Sequence, residues 1–361
     1  MERRALGVAV VGSGRLGTLR ASLAAAHPAV RFLAVSDVDP ARARALAEQV
    51  GAQVWSGDNL EIIARPEVNA VIVSTSEPAH ALPVLQALER GRPVLVEKPI
   101  AMTLDEADRM RAAAERAGVD LRVGYSQRFK PRYLLGKEQI VQGRLGRIVG
   151  GTGRVYNSRA QAFQILRRAP HATPVLDVLT YWVDVACWYL DGNPPVEVVA
   201  RGQGGVFRAA GYAADDVTWS LVTFADGAVV SLGVGYALPE KYPTLGQSIR
   251  LEVLGTEGVL LFDEDHTDQI LYTDRGIPRS YVAGLVLNMA FLGSSSSGDW
   301  ALGDFWGPVA SETRAWLDHL ATGRACALAS AAEARQTLEV TLAIEQSART
   351  RQIVRLPLTP G

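Results

Sequence analysis

Cysteine is scarce in this chain, with only Cys187 and Cys326 among 361 residues. Two cysteines are too few for a disulfide framework, and neither stands at the spacing from other ligands that a zinc site requires. The sequence therefore predicts a protein of a reducing compartment that holds no structural metal.

An excess of charge of one sign is also lacking, because 37 lysines and arginines nearly balance 38 aspartates and glutamates. This balance gives no broad attraction to nucleic acid or to an anionic membrane, so we expect a small-molecule ligand. No apolar run approaches the ~20 residues that span a bilayer. Arg3 and Arg4 precede a short apolar run that has no cleavage site, which favours a strand over an export signal. We therefore expect a cytoplasmic protein.

Glycine, in contrast, is concentrated at one informative place. The apolar residues 6–11 lead into a turn that reads Gly12-Ser13-Gly14-Arg15-Leu16-Gly17, and an alanine-rich helical pattern follows it. Such a turn lets the backbone approach a pyrophosphate and directs free N–H groups of the helix at it. Taken alone the spacing is a weak signal, since an ordinary strand-to-helix turn has the same form.

An acidic residue follows the next predicted strand, residues 30–36. Asp37 stands where a carboxylate accepts hydrogen bonds from the adenosine ribose, and it repels a 2′-phosphate, so NAD is favoured over NADP. The alternative is a helix cap, but Asp39 before Pro40 already supplies that cap.

Two further strand ends carry polar residues. Residues 70–73 are followed by Ser74 and Thr75, and His80 begins the next helix, where a structural hydrogen bond is its ordinary role. Residues 93–96 form a strand that ends in Glu97-Lys98-Pro99. Lys98 is either a surface lysine or a residue at the nicotinamide end of a dinucleotide, held in one direction by the stiff proline.

These features in this order, followed by Val123-Gly124-Tyr125-Ser126-Gln127-Arg128-Phe129, resemble the Gfo/Idh/MocA family of nicotinamide-dependent oxidoreductases. The resemblance implies an α/β Rossmann domain with a parallel sheet and NAD as its cofactor. The implied cofactor contacts are Gly12, Ser13, Gly14, Arg15, Leu16, Asp37, Ser74, Thr75, His80, Glu97 and Lys98.

The periodicity changes after residue 123. Strand patterns occur at residues 146–157, 196–201, 217–224, 228–236, 249–254 and 259–262, and Asp226-Gly227 between two of them indicates a hairpin. We therefore expect a Rossmann domain over residues 1–123 and an α+β domain with a mostly antiparallel open sheet over 124–361. The family uses the open face of such a sheet between subunits, which implies a homodimer or a homotetramer.

One helix interrupts the strand patterns at residues 175–190. Asp177, Tyr181 and Asp184 share one face of this otherwise apolar helix, either toward solvent or in an active site. The family has an Asp, a His four residues later and another Asp here, so Tyr181 stands at the histidine position, as it does in some members. The preceding stretch from His171 to Pro174 departs from the family's glycine-rich pattern. The residues that line the substrate pocket in the family are therefore hard to assign in this chain.

The resemblance implies hydride transfer between nicotinamide and a secondary alcohol or ketone of a sugar, an inositol or a related cyclic polyol. The catalytic candidates are Lys98, Tyr181 and Asp177. Tyr181 is the candidate for the base, because a nearby ammonium, which Lys98 could supply, favours its phenolate. The implied substrate contacts are Lys98, Tyr125, Gln127, Arg128, His171, Asp177 and Tyr181.

Three other functions stay open at this point: a cis-dihydrodiol dehydrogenase, an NAD-dependent glycosidase and a non-catalytic NAD-binding sensor. The serine run Ser294–Ser297 reads as a surface loop, with a cover over a pocket as the alternative.

Overall fold

The computed structural model describes residues 4–169, 172–239, 247–264, 269–278, 286–291, 299–301 and 304–358. Its contacts group the chain into two compact units. Unit 1 comprises Met1–Lys130 and Ser296–Leu338, and unit 2 comprises Pro131–Ser295 and Glu339–Gly361. This grouping differs from the expected division at residue 123, because a late segment of the chain returns to the first unit.

The described strands alternate with helices in the first third of the chain and follow one another more closely after it. They are β1 (Leu6–Val11), β2 (Val30–Ser36), β3 (Val54–Ser56), β4 (Ala70–Val73), β5 (Val94–Glu97), β6 (Leu121–Gly124), β7 (Ile148–Ser158), β8 (Pro195–Gln203), β9 (Val217–Phe224), β10 (Val229–Leu238), β11 (Gln247–Gly255), β12 (Gly258–Asp263), β13 (Gln269–Pro278), β14 (Val286–Phe291), β15 (Asp299–Ala301), β16 (Asp304–Trp306), β17 (Ala329–Ser330) and β18 (Val354–Arg355).

The α-helices are α1 (Arg15–Ala25), α2 (Pro40–Val50), α3 (Asn59–Ile63), α4 (Ala81–Leu88), α5 (Leu104–Ala117), α6 (Pro131–Val141), α7 (Arg159–Arg168), α8 (Thr180–Tyr189), α9 (Val206–Ala209), α10 (Pro308–Thr322) and α11 (Ala331–Thr350). Short 3₁₀ turns cover Glu77–Ala79 and Ser126–Phe129, and a π-helical turn covers Val175–Leu179.

Unit 1 contains a seven-stranded sheet in the order β17-β6-β5-β4-β1-β2-β3. All neighbours in it are parallel except β17, which pairs antiparallel with β6. Strands β1, β4 and β5 are buried along their whole length, as their unbroken apolar runs require in a sheet covered on both faces. The predicted Rossmann-type sheet is therefore confirmed.

The returning segment completes the core of unit 1. Trp316 and Leu317 of α10 are fully buried in the same apolar cluster as Val8 of β1 and Ala21 of α1. Helix α10 begins at Pro308 and ends at Thr322, and Gly323 caps it with a φ of 75°, a left-handed conformation that favours glycine. The place of this helix in the first unit was not expected.

Unit 2 is built on a nine-stranded sheet in the order β14-β13-β12-β11-β7-β10-β9-β8-β18. Its neighbours are antiparallel except β7 and β10, which run parallel. Asp226-Gly227 joins β9 and β10, and Gly227 has a φ of 89°. The expected antiparallel sheet and its hairpin are both confirmed.

Several elements differ from the expectation. The helix expected as one regular element over 175–190 begins with the π-helical turn and continues as α8. Helices α6 and α7 were not expected. Trp300 lies in β15, whereas the serine loop around Ser294–Ser297 lies outside the described residues.

Within the described part of the chain, no helix has the length and apolarity to cross a membrane. In the same residues, no group of three or more His, Cys, Asp or Glu side chains is arranged to hold a metal ion.

Candidate active site

The glycine turn lies between the ends of β1, β2 and β4. Gly12 N–H donates to the Ser36 carbonyl and Ser74 N–H donates to the Val11 carbonyl, each at 2.8 Å. Gly12 has a φ of 97°, and a Cβ there would lie 2.6 Å from the Ser74 carbonyl oxygen. Only glycine fits this position, because both its backbone angle and the approach of β4 exclude a side chain.

The start of α1 is open in front of this turn. A Cβ on Gly14 would meet no atom within 4 Å, and Arg15 is exposed while Leu16 is half-buried. The first turn of α1 has no acidic side chain, and Gly14 makes no side-chain cap. Its first N–H groups therefore have room and polarity for an anion, which is the requirement of a pyrophosphate site.

Asp37 follows β2 and forms a hydrogen bond with the glycine turn. Its Oδ2 accepts from Ser13 N–H at 2.8 Å and its Oδ1 accepts from Asp39 N–H at 2.9 Å. Each carboxylate oxygen has a second lone pair, so these bonds leave acceptor capacity for a ribose hydroxyl. Val38 beside it is 86% exposed, so a bound group at this edge has access from solvent.

Ser74 and Thr75 occupy the end of β4, as the sequence predicts. Ser74 is buried, and its Oγ has no hydrogen-bond partner among the described residues. Thr75 donates from Oγ1 to the Ser76 carbonyl at 3.3 Å. A buried hydroxyl without a partner calls for a ligand or a water, and Ser74 lies beside the turn, with its carbonyl next to Gly12 and its Cβ next to Gly17.

His80 bridges two strand ends. The ring is 1% exposed, with Nδ1 2.9 Å from the Pro99 carbonyl and Nε2 3.3 Å from the Thr75 carbonyl. It therefore connects the segment after β4 with the residue that follows Lys98. Burial lowers the pKa of His80 below its usual value, against the opposing effect of the two carbonyls and Glu97.

This pKa direction predicts a pH-dependent stability. The unfolded chain takes up a proton on His80 as the pH falls through about 6.5, whereas the folded chain keeps the ring neutral to lower pH. Folding stability should therefore fall on acidification below that pH, and His80→Gln should reduce the fall. Melting temperatures at pH 7.5 and pH 5.5 for both proteins check this, and an equal drop in the two proteins would contradict it.

Glu97 is the last residue of β5 and Lys98 follows it, and the surroundings of the two side chains differ. Glu97 is buried, and its Oε1 accepts from Arg20 Nε of α1 at 2.8 Å. Lys98 is half-buried between two buried neighbours. The structure thus gives the Glu97 carboxylate an interior partner that the sequence did not reveal, and it leaves Lys98 at the strand end.

Three of the expected substrate contacts follow β6, and their surroundings differ. Arg128 is 2% exposed and donates to Glu333 of α11 at 2.8 Å. Tyr125 is buried, whereas Gln127 is half-buried and its Oε1 has no hydrogen-bond partner among the described residues. The structure thus places Arg128 in an ion pair within unit 1. Gln127 has an amide oxygen that is available to accept a hydrogen bond.

In unit 2, Asp177 lies in the π-helical turn and Tyr181 in the first turn of α8, both half-buried. Asp184 on the same face is fully buried, so the stripe as a whole does not face solvent. Asp177 Oδ2 accepts from the Tyr236 hydroxyl of β10 at 2.6 Å. The sequence predicts the acidic residue but misses Tyr236, because the partner lies far along the chain.

Thr173 fixes the start of this turn. Its hydroxyl accepts from Leu176 N–H at 3.1 Å, its carbonyl accepts from Asp177 N–H at 3.0 Å, and the hydroxyl donates to Glu345 of α11. A π-helical turn is rare and often marks a functional site. His171, expected near here as a substrate contact, lies outside the described residues.

Asn157 is a further candidate that sequence reasoning missed. It is 1% exposed, and neither its Oδ1 nor its Nδ2 has a hydrogen-bond partner among the described residues. Tyr156 pairs with Gly235 in the parallel strands β7 and β10, and the register shifts between Gly235 and Leu238, so Asn157 and Tyr236 each follow this pair at the irregular end of the two strands. An asparagine at the end of a strand carries no sequence signal by itself, and only its burial draws attention to it.

A glycine turn at the carboxyl edge of a parallel sheet, with an acidic residue on the next strand, defines a dinucleotide-binding Rossmann protein. The oxidoreductase family model with an NAD-binding Rossmann fold matches residues 6–125, and the GFO/IDH/MocA C-terminal domain matches residues 133–261. The chain belongs to the GFO/IDH/MocA family and is an NAD-dependent oxidoreductase, as the resemblance implies.

Named relatives are similar over most of the chain. Myo-inositol dehydrogenase Hyg17 of Streptomyces leeuwenhoekii is 32% identical over 255 residues, covering 70% of this chain and 75% of that protein. The scyllo-inositol 2-dehydrogenase (NAD(+)) of Bacillus subtilis is 29% identical over 254 residues, covering 69% and 71%. The crystal structure of scyllo-inositol dehydrogenase from Lactobacillus casei with NAD(H) and scyllo-inositol has the same fold, with a TM-score of 0.76, 18% identity and coverage of 98% and 99%.

Proposed function

We propose that this enzyme transfers a hydride between the nicotinamide of NAD and a secondary alcohol or ketone of a sugar, an inositol or a related cyclic polyol. The observation that supports it most is the hydrogen bond from Tyr236 to Asp177 in unit 2, together with the buried amide of Asn157 on the neighbouring strand, which has no hydrogen-bond partner among the described residues. Carboxylate, phenol and amide groups are suited to alcohol hydroxyls, which both donate and accept. Inositol dehydrogenases among the relatives point to the same substrate class.

The cofactor is assigned to the turn and strand ends of unit 1. Bound NAD supplies the carbon that accepts or returns the hydride. We assign the pyrophosphate to the backbone of Ser13, Gly14, Arg15 and Leu16, and the adenosine ribose to Asp37. Ser74, Thr75, His80, Glu97 and Lys98 form or support the edge toward the nicotinamide.

The Asp37 assignment gives a prediction for cofactor choice. Asp37→Ser should raise the Kd for NAD about 10-fold to 100-fold, because it removes charge-assisted hydrogen bonds worth about 1.5–3 kcal/mol. It should weaken NADP binding much less, since the repulsion of the 2′-phosphate disappears as well. Fluorescence titrations with both cofactors measure this. Asp39→Ala is the control, because it removes a helix cap next to Asp37 and should lower stability by about 1 kcal/mol with unchanged NAD affinity.

The reacting groups are assigned by their chemistry. Oxidation of an alcohol requires a base for the hydroxyl proton as the hydride leaves. We assign this role to Tyr181 and the hydrogen bond to the substrate oxygen to Lys98. Asp177, held by Tyr236, orients the substrate, and Tyr125, Gln127, Arg128 and His171 remain proposed substrate contacts.

Asn157 provides a test of the assignments in unit 2. Asn157→Ala should raise KM for the alcohol about 10-fold, the effect of losing about 1.4 kcal/mol of hydrogen bonding. NAD affinity should not change. Ser220→Ala is the matched control, because Ser220 is a buried polar residue of the same sheet whose hydroxyl already donates to the Leu232 carbonyl at 3.0 Å. Equal KM values for the two variants would remove Asn157 from the site.

A substrate screen decides the function. Inositols, aldoses, sugar acids and cis-dihydrodiols are each incubated with NAD and with NADP, and the appearance of NADH is followed by absorbance. We expect turnover with one of the polyols and NAD. Turnover confined to dihydrodiols would make the protein a dihydrodiol dehydrogenase instead.

Two negative results are equally informative. Cleavage of a glycoside without net NADH would indicate a glycosidase that returns its hydride. Tight NAD binding with no turnover on any compound would indicate a sensor. Both outcomes would contradict the proposed reaction.

We also propose that two copies of the chain associate through the outer face of the nine-stranded sheet. Trp219, Leu221, Leu254, Leu261 and Tyr272 are exposed there on alternate strand positions. The pair of Arg250 and Asp263 lies on the same face, with Nε and Oδ2 2.9 Å apart. An apolar surface that also carries both charges can face a second copy of itself about a two-fold axis.

Light scattering after size-exclusion chromatography tests this association and separates a dimer from a tetramer. Leu221→Asp should yield the monomer, because it places a charge on the apolar surface. Val141→Lys on α6 is the control, since Val141 is 70% exposed but lies on a helix. A monomeric wild type would contradict the proposal.

We also propose which of the two nicotinamide cofactors the enzyme prefers and where in the cell it is located. NADP is expected to serve less well than NAD, and the cytoplasm is the proposed compartment. Cell fractionation with an antibody against the protein tests the second assignment.

A further inference from the structure

Arg20 is the centre of a buried polar network in unit 1. It lies on α1, the helix that follows the glycine turn, and it is fully buried. Its Nε donates to Glu97 Oε1 at 2.8 Å, its Nη2 to Glu312 Oε2 at 2.6 Å and its Nη1 to Thr313 Oγ1 at 2.7 Å. A single guanidinium therefore joins α1, the end of β5 and α10 in the returning segment.

The fold leaves a space for this network. Gly124 of β6 pairs with Glu97 of β5. A Cβ on Gly124 would lie 2.9 Å from Arg20 Nη2 and 3.1 Å from Glu97 Oε2. Glycine at this position thus lets the guanidinium and the carboxylate meet beside the strand.

The network ends next to Lys98. Glu97 before it is bonded to Arg20, and the carbonyl of Pro99 after it is contacted by His80 at 2.9 Å. The backbone of Lys98 is therefore anchored on both sides by buried side chains from other elements. A displacement of about 1 Å at a reacting group can cost about 100-fold in rate, so such anchors bear on the chemistry.

We propose that Arg20 is a positioning residue that holds Lys98 through Glu97. It touches neither cofactor nor substrate in this role. The inference rests on the proposed function, because it takes Lys98 as the group that binds the reacting oxygen.

Arg20→Lys tests the proposal, because it keeps the charge but loses the fork that reaches three partners. We expect kcat with myo-inositol and NAD to fall about 30-fold, within the range for misplaced catalytic groups. The Kd for NAD should stay within about 2-fold. A merely structural arginine would instead lower the melting temperature and leave kcat of the folded protein unchanged.

Arg335→Lys is the matched control. Arg335 of α11 makes a similar fork in the same unit, with Nε and Nη2 3.1 and 3.3 Å from the two oxygens of Asp108. It should lose stability without loss of kcat. Equal kcat values for the Arg20 and Arg335 variants would overturn the proposal.

If Arg20→Lys does not fold, a less disruptive variant tests the same proposal. Glu312→Gln keeps the shape and one acceptor but weakens the bond to Nη2. It should lower kcat in the same direction by a smaller factor, and unchanged kcat would count against Arg20.

A second readout does not depend on activity. Hydrogen–deuterium exchange followed by mass spectrometry should show faster exchange in the peptide of residues 94–103 in Arg20→Lys or Glu312→Gln than in Arg335→Lys. A wild type that oxidises no polyol would contradict the proposed function, yet this exchange comparison would still decide the positioning role. Equal exchange in all variants would overturn it.

Discussion

Replacing Lys98 by methionine should lower kcat for alcohol oxidation about 1,000-fold while NAD still binds. Methionine has a similar length and no charge, so it removes the ammonium that binds the substrate oxygen without opening a large cavity. A positioned acid or base contributes about 100-fold to 10,000-fold to a rate. Steady-state NADH formation and NAD titration by fluorescence measure the two effects separately.

Lys137→Met provides the control for this experiment. Lys137 of α6 donates to the Trp188 carbonyl and its ammonium lies 5.6 Å from the centre of the Trp188 ring. Its loss should cost stability alone. A Lys98 variant that turns over at nearly the rate of the Lys137 variant would exclude Lys98 from the reaction.

Tyr181→Phe should lower kcat about 100-fold to 1,000-fold and flatten the acidic limb of the pH profile of kcat/KM. The phenyl ring can keep the edge-on contact with Trp182, whose centroid is 6.2 Å away. Only the hydroxyl that takes the substrate proton is lost. Rates between pH 6 and pH 10 with saturating NAD give the profile.

Tyr189→Phe on the same helix is the matched control. The Tyr189 hydroxyl donates to the Tyr133 carbonyl at 2.8 Å in the interior, so its removal should cost about 1 kcal/mol of stability. Its pH profile should match that of the wild type. If Tyr181→Phe keeps both the rate and the profile, the base lies elsewhere, and His171 is the next residue to replace.

The sequence predicts best what is local. The apolar runs of β1, β2 and β4 lie next to turn residues, so their bounds and the glycine turn follow from neighbouring residues alone. Asp37 is predictable for the same reason, since its place after β2 defines its distance from the turn. The family resemblance adds Lys98, Asp177 and Tyr181 as site candidates.

The partners of these residues are not predictable in that way. Tyr236 reaches Asp177 across 59 positions, and Arg20 reaches Glu312 across 292. No periodicity encodes such pairings, because they depend on which elements pack together. The same holds for Asn157, which becomes a candidate only because the folded chain buries its amide.

The return of α10 to the first sheet also constrains how the protein is made. A ribosome releases the first 130 residues while Glu312, Trp316 and Leu317 are still unsynthesised, so the guanidinium of Arg20 has only one of its two carboxylates and α1 lacks its apolar cover. Nascent chains usually fold domain by domain from the amino terminus. Here the apolar cluster of the nucleotide-binding unit is completed only after the strands of the second sheet have been synthesised.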